Sequence, residues 1–364
     1  MRLLKNQKNT TSKASMSLVS KGAIGVDISQ NAIKMVQLSG RSLNQIQLEK
    51  YVITRLPKNI IRGNQIHDYD QLVSYLQHTY TQLHSSNKNI VAAIPQNLAT
   101  LETVIYPKDS EMSLEEFAEN ELNQLGAVDE MNYDYQVIGQ SIMPPGQQVL
   151  LVASRKEDLE PRLEVFESAD LLPAYMDVDL FAKANAFSYW INQHAPELED
   201  EKIAVIEIGD SQMQAIVTQN GQILYKQETA VSNDQLIQLI QRTYQLSEEQ
   251  AETMKNTQDK PADYQSQIAD RFNIQVAQEV QRVLQFYYTT QPSDQFSSVR
   301  HIFLTGSASQ QIGLAETVFS QTNTASQCVS PVTYTDNSNS VDLSHLQQDA
   351  ASLTIAFGLA LRGL

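Results

Sequence analysis

The spacing D-x-S-x-x-x-x-K runs from Asp27 to Lys34 and encloses a short polar turn, Ser29-Gln30-Asn31. A carboxylate in such a place can hold hydrated magnesium, which keeps its waters and takes few protein ligands. A turn between strands also exposes backbone N–H groups that together form an anion nest suited to phosphates. Lys34 would add positive charge to a phosphate chain. Taken alone the spacing says little, because D-x-S turns are common. A second candidate is Glu207-Ile208-Gly209-Asp210-Ser211. Gly209 permits close backbone approach to a phosphate, and Glu207 is a candidate ligand to a magnesium-bound water. The plain alternative for Glu207 is a strand carboxylate satisfied by a local hydrogen bond.

Two further groups could hold a nucleoside. Ser247 caps a helical stretch in which Glu252 and Lys255 stand at i and i+3, on one face. The pair could grip a ribose and an adenine edge, or be a surface ion pair worth about 0.3 kcal/mol. Farther on, an apolar strand from Val299 to Leu304 runs into the small-residue turn Thr305-Gly306-Ser307-Ala308, which opens a helix and would let a planar base or ribose approach the backbone.

The elements that must position these residues follow from hydrophobic periodicity. Residues 23–28 and 33–38 read as strands around the first turn, with a third strand at 46–56. Residues 203–208 and 213–217 repeat the arrangement, and Asn220-Gly221 marks a tight hairpin into a strand at 223–225. The two copies superpose at one offset: Asp27 on Glu207, Ile28 on Ile208, Ser29 on Gly209. Such an internal duplication carries more weight than either copy, and two related halves facing one another would make a cleft with a carboxylate and a turn from each. Helical spacing covers 68–84, 113–125 (with Ser113 and Glu116 as an S-x-x-E capping box), 157–169, 179–193, 233–246, 247–255 and 264–288. Strands at 101–106, 133–138 and 148–154 mark 99–171 as an inserted subdomain, and the polar stretch 322–343 reads as a loop-laden edge. Small residues in the last helix, 350–362, permit close packing. The expected organisation is therefore a disordered basic tail (1–20), a first lobe (21–98 plus 172–198), the insert (99–171) and a second lobe (199–364).

Composition narrows the function classes. The chain has 364 residues, 41% hydrophobic and 19% charged, with a formal net charge of −16 and a pI near 4.8. Nucleic acid is excluded as a partner on charge, since phosphates would be repelled. Cys328 is the only cysteine and the six histidines are scattered, so the sequence offers neither a disulfide nor a Cys/His metal box. No run of about 18 apolar residues could span a bilayer. The N-terminus carries Arg2, Lys5, Lys8, Lys13 and Lys21 before the first acid, Asp27, without the apolar region of a signal peptide; Met16 is an alternative start. These features suit a reducing, cytoplasmic compartment.

Set in order, these residues resemble the actin-like ATPase superfamily, which includes actin, the sugar kinases, DnaK-type chaperones and the division protein FtsA. Within it the chain is similar to the PilM family of type IV pilus assembly proteins. The likeness runs from Lys21 to Leu364 and rests on 24–38, 250–255, Glu279-Val280-Gln281-Arg282-Val283-Leu284-Gln285-Phe286-Tyr287-Tyr288 and Phe357-Gly358-Leu359-Ala360-Leu361-Arg362. It implies an α/β, actin-like two-lobed fold with two duplicated ribonuclease H-like domains and an inserted subdomain of the FtsA/PilM type. It implies that Asp27, Ser29, Gln30, Asn31 and Lys34 form the first phosphate loop and Glu207, Gly209, Asp210 and Ser211 the second. Glu252 and Lys255 would contact adenosine with Gly306 and Ser307, for ATP or ADP whose Mg is held through water at Asp27 and Glu207. The implied partners are the N-terminal cytoplasmic peptide of PilN and other pilus platform proteins, with room for a homodimer. Membrane association would come through those partners, at the cytoplasmic face of the inner membrane, in the service of twitching motility.

The chain departs from the superfamily pattern at several points. Ser29 and Ser307 stand where Gly is usual, Glu207 where Asp is usual, and Ser232-Asn233 where a Gly-Gly pair is expected. A misplacement of roughly 1 Å can cost about a hundredfold in rate, so hydrolysis is expected to be slow or absent and no catalytic residue is assigned. Two alternatives stand beside this reading. A sugar or acid kinase would need a carboxylate base, for which Asp177 and Asp179 are the candidates. An FtsA-like filament protein would need an amphipathic anchor, whereas the sequence stops at Arg362-Gly363-Leu364, which favours recruitment by a partner.

Overall fold

The computed structural model describes residues 22–40, 45–257, 259–290 and 298–364; the expected basic tail at 1–20 lies outside the described residues. Two compact units divide them. The first holds Lys50–Ala182 and Leu359–Leu364 with the described residues up to 40, and the second holds Lys183–Gly358 with 45–49.

In the first unit, β1 (Gly22–Ile28), β2 (Ala32–Gly40) and β3 (Ile46–Arg55, whose residues 46–49 belong to the second unit) follow one another, then a hairpin of two short strands, β4 (Ile61–Arg62) and β5 (Gln65–Ile66). Helix α1 (Tyr69–Leu83) starts where the Asp68 side chain accepts from the Gln71 N–H, and ends at His84 in the left-handed region. Next come β6 (Ile90–Ile94), β7 (Thr100–Pro107), α2 (Leu114–Leu125), β8 (Met131–Ser141), β9 (Gly146–Arg155), α3 (Lys156–Ser168), β10 (Tyr175–Val178) and α4 (Asp179–His194), which continues into the second unit. The main sheet has the order β10-β6-β1-β2-β3, antiparallel between β1 and β2 and parallel between β1 and β6 and between β6 and β10. Its central strand β1 is buried along almost its whole length, as strands covered on both faces must be, which is why it reads as a continuous apolar run.

Residues 100–155 build a separate three-stranded antiparallel sheet, β7-β9-β8. Ala118 and Leu122 of α2 pack on Val149, Leu151 and Ala153 of β9. The capping box predicted from Ser113 and Glu116 is present at the start of α2, with both reciprocal bonds made.

The second unit repeats the first. A meander of β11 (Ile203–Ile208), β12 (Met213–Gln219) and β13 (Gln222–Thr229) turns between its last two strands at Asn220-Gly221, both with positive φ. Helices α5 (Asn233–Tyr244), α6 (Glu248–Asn256) and α7 (Asp270–Thr290) follow, then β14 (His301–Thr305), α8 (Leu314–Thr322), β15 (Ala325–Cys328), α9 (Leu343–Asp349) and α10 (Thr354–Arg362), whose residues from Leu359 belong to the first unit. The sheet order is β13-β12-β11-β14-β15, with β14 parallel to both β11 and β15. In the first sheet the antiparallel β1–β2 pair likewise stands beside the two parallel strands β6 and β10, so the duplication read at Asp27 and Glu207 extends through these strands of the two sheets. Helix α4 lies on this second sheet, where Phe187 and Trp190 meet Phe303 of β14 at ring-centroid distances of 5.3 and 5.2 Å.

Two local expectations are corrected. The 322–343 stretch is not only loop: β15 is an edge strand of the second sheet. Its sequence, Ala-Ser-Gln-Cys, lacks apolar alternation because an edge strand needs little of it. The helix read from 264 begins with a π-helical turn at Gln265–Ala269 before the α-helical hydrogen bonding of α7 takes over. No helix among the described residues is long and apolar enough to cross a membrane.

Candidate functional site

In the first unit the β1–β2 register sets Asp27 directly opposite Lys34. The linear spacing of the motif is thus a cross-strand pair, with the Lys34 Nζ 3.6 Å from Asp27 Oδ2 and both side chains about nine-tenths buried. Between them the turn is closed tightly. The Ser29 N–H donates to the Ala32 carbonyl at 2.9 Å, and the Ala32 N–H returns to Ser29 Oγ at 3.2 Å. The Ser29 amide, one of those expected to cradle a phosphate, is therefore used inside the turn. Asn31 is held in place through its carbonyl, which accepts from the Leu56 N–H at 2.8 Å.

The second unit reproduces this turn. The Gly209 N–H donates to the Gln212 carbonyl at 3.0 Å, and the β11–β12 register sets Glu207 opposite Gln214. At the shared offset Gln214 takes the place of Lys34, so the second copy has no cross-strand ammonium of its own. One arrives from α4. Lys183, fully buried, donates to Glu207 Oε2 at 2.9 Å and also to Gln214 Oε1. The Gln214 Nε2 donates to Glu228 Oε1 at 3.1 Å, which fixes the amide with its oxygen toward the ammonium.

The remaining candidates of the second unit gather around this turn. The first amides of α5 hold it, Asn233 N–H on the Gly209 carbonyl and Asp234 N–H on the Asp210 carbonyl, each at 2.9 Å. Ser211 is exposed at the tip. Because β14 runs parallel to β11, with Thr305 beside Glu207, the turn after β14 sits against the end of β11. There the Ala308 N–H donates to the Ile208 carbonyl at 3.1 Å. Gly306 adopts φ +95°, and a Cβ on it would lie 2.5 Å from the Ile208 oxygen, so only glycine fits so close an approach. Lys255 of α6 donates to Asn233 Oδ1 at 2.8 Å and to the Ser307 carbonyl at 3.2 Å, tying α6, α5 and the Gly306-Ser307 turn together. Glu252 lies on the same helix, half-buried.

These residues fit a nucleotide in part. The buried Ser307 Oγ has no hydrogen-bond partner within the protein, so the turn presents an unsatisfied polar atom of the kind a ribose or base could meet. Magnesium is another matter. The assignment of Asp27 and Glu207 as its water-mediated ligands does not fit this geometry, because each carboxylate already carries an ammonium counter-charge. Nor does any group of three or more His, Cys, Asp or Glu among the described residues form a metal cage.

Lys183 and Gln214 were missed in the sequence. Lys183 stands four residues after Asp179, which reads as an ordinary surface ion pair. The available signal was that it is the one Lys or Arg in α4, set in the apolar run Leu180–Phe187. The kinase candidates are placed otherwise than a phosphotransferase needs. Asp177 is 2% exposed, accepts from the Val178 N–H at 2.8 Å and lies 3.6 Å from the Arg362 guanidinium. Burial pushes its carboxyl above the usual carboxylate range, against the Val178 N–H and Arg362, which hold it down. A base must reach a substrate hydroxyl, and this one is enclosed. Asp179 is buried also.

The fold recurs in solved structures. One, titled as a PilM–PilN type IV pilus biogenesis complex, matches with a TM-score of 0.76 at 21% identity, covering 94% of this chain and 98% of that one. The ethanolamine utilization protein EutJ from Carboxydothermus hydrogenoformans matches at 0.57 and 14% identity, covering 93% and 89%. MreB 5 of Spiroplasma citri, bound to AMPPNP, matches at 0.52 and 10% identity, covering 94% and 96%. At these identities they show the fold, which is the actin-like two-lobed α/β class. The family model described as type IV pilus assembly protein PilM matches residues 25–364. With nearly the whole described chain inside that match, the protein belongs to the PilM family of type IV pilus assembly proteins.

Proposed function

We propose that this chain is a cytoplasmic, nucleotide-binding scaffold of the type IV pilus inner-membrane assembly platform, recruited by the N-terminal cytoplasmic tail of PilN. The observation that carries the proposal is the family match across 25–364. The likeness to a PilM–PilN complex, which spans 98% of that chain, supports the choice of partner. On this reading residues 21–98 with 172–198 form the first lobe, 199–364 the second, and 99–171 the insert beside which the tail docks. The insert offers what an extended peptide needs: β7 and β8 are the outer strands of its three-stranded sheet, and an outer strand can take a further strand by main-chain pairing while side-chain pockets give specificity.

ATP or ADP is the proposed cofactor. Asp27, Ser29, Gln30, Asn31 and Lys34, with Glu207, Gly209, Asp210 and Ser211, are the residues proposed for its phosphate loops. Glu252, Lys255, Gly306 and Ser307 would hold the adenosine. The role of the nucleotide is to set the conformation that receives the tail rather than to be consumed. The burial of the candidate carboxylates supports this: Asp177 is enclosed and Glu207 is committed to Lys183. A phosphate-release assay on the purified chain is expected to stay at background while mass spectrometry finds copurified ATP or ADP. Turnover on the order of 1 s⁻¹ or faster, as true phosphotransferases show, would rule out the scaffold reading.

A further inference from the structure

We infer that Lys183 is a built-in counter-ion that takes the place of a divalent metal at Glu207, so that the nucleotide binds this chain without needing magnesium. The inference rests on the nucleotide reading given above and goes beyond it to the charge balance of the site.

The duplication carries the argument. In the first copy the strand-end acid and its cation come from one hairpin, Asp27 opposite Lys34. In the second the cross-strand position holds Gln214, which is neutral, opposite Glu207. An acid left there alone, 6% exposed, would demand a counter-charge, and a hydrated magnesium ion is one way to supply it. This chain supplies another. The Lys183 ammonium sits between Glu207 Oε2, at 2.9 Å, and Gln214 Oε1. Gln214 is turned to receive it because its own Nε2 is held by Glu228 Oε1 at 3.1 Å, which also accepts from Gln212 Nε2 at 3.1 Å.

The two ion pairs are not alike. Lys183 is wholly buried and lies 2.9 Å from its acid, whereas Lys34 stands 3.6 Å from Asp27. A divalent ion at Glu207 would have to settle beside a fixed buried ammonium. There the Lys183 ammonium offsets the Glu207 charge, so the pair itself adds no net attraction for the ion, and the ammonium repels it. Lys183 therefore acts as a positioning residue for the second phosphate loop and not as a contact to nucleotide.

The test is ATP binding by calorimetry to the full chain, in excess magnesium and in EDTA. The expected result is affinities equal within about threefold in the wild type. In Lys183→Met, which frees Glu207, ATP is expected to bind about tenfold or more tighter with magnesium than in EDTA, while Lys183→Arg keeps the wild-type indifference. Wild-type binding that is tenfold or more tighter with magnesium overturns the inference and leaves the nucleotide reading standing. A folded Lys183→Met that remains indifferent to magnesium also overturns it. No ATP binding under either condition removes the nucleotide reading, and the inference falls with it. If Lys183→Met does not fold, the wild-type comparison alone decides.

Discussion

Lys183→Met is expected to destabilise the second unit by about 3–5 kcal/mol, the usual cost of removing one partner from a buried ion pair. The substitution keeps most of the side chain's length and its apolar stem but leaves the Glu207 carboxylate, 6% exposed, without its cation. It also leaves Gln214 Oε1 without that donor. Most of the cost is thus a penalty for the charge left behind rather than the net worth of the pair. That distinction gives a control. Replacing both residues, Lys183→Met with Glu207→Leu, removes the orphaned charge, and buried pairs exchanged for apolar groups are often neutral. The double variant is therefore expected to regain most of the loss. Thermal unfolding reads both effects, at roughly 2–4 °C per kcal/mol for a unit of this size. A single variant within about 1 kcal/mol of wild type would mean that Glu207 is solvated and the pair incidental.

Gly306→Ala is expected to cost about 2–6 kcal/mol, from two sources acting together. An L side chain at φ +95° is strained, worth about 1–3 kcal/mol. Its Cβ would also lie 2.5, 2.7 and 2.8 Å from the O, C and N atoms of Ile208. Those atoms belong to the backbone of a central strand, which cannot give way as a flexible side chain could, so overpacking adds about 1–3 kcal/mol. Relief would mean pushing the Gly306-Ser307 turn off the end of β11 and losing the Ala308–Ile208 hydrogen bond. Gly63 separates the two causes. It has φ +58°, and a Cβ added there would meet nothing within 4 Å, so Gly63→Ala carries the conformational strain alone, about 1–2 kcal/mol. Equal losses at the two glycines, measured by chemical unfolding, would show that the close approach at Ile208 contributes nothing.

The parts of this fold that were legible in the sequence are those where one segment suffices. The apolar run ending at Asp27 names a buried strand, Ser113 with Glu116 names a helix start, and Asn220-Gly221 names a hairpin, because each depends on residues close in the chain. The duplication was legible for the same reason, as a strand–turn–strand repeated at Glu207. What the sequence hid depends on pairing across space. The motif from Asp27 to Lys34 suggested a carboxylate for metal and a lysine for phosphate. The β1–β2 register makes the two residues partners of one another. The partner of Glu207 comes from a helix, 179–193, that the spacing predicts but whose lysine no local pattern ties to Glu207. Its burial follows only from how α4 lies on β11 and β12, which no local pattern encodes. The strand β15 was hidden for a different reason, since an outer strand with a polar sequence carries no periodic signal.

Recruitment by PilN is the central claim, and titration calorimetry of the full chain with a synthetic N-terminal tail of PilN tests it most directly. The predicted result is saturable binding that tightens about fivefold or more when ATP is present, the range expected when a second ligand selects the receptive conformation. No detectable binding at millimolar tail, with or without ATP, would contradict it.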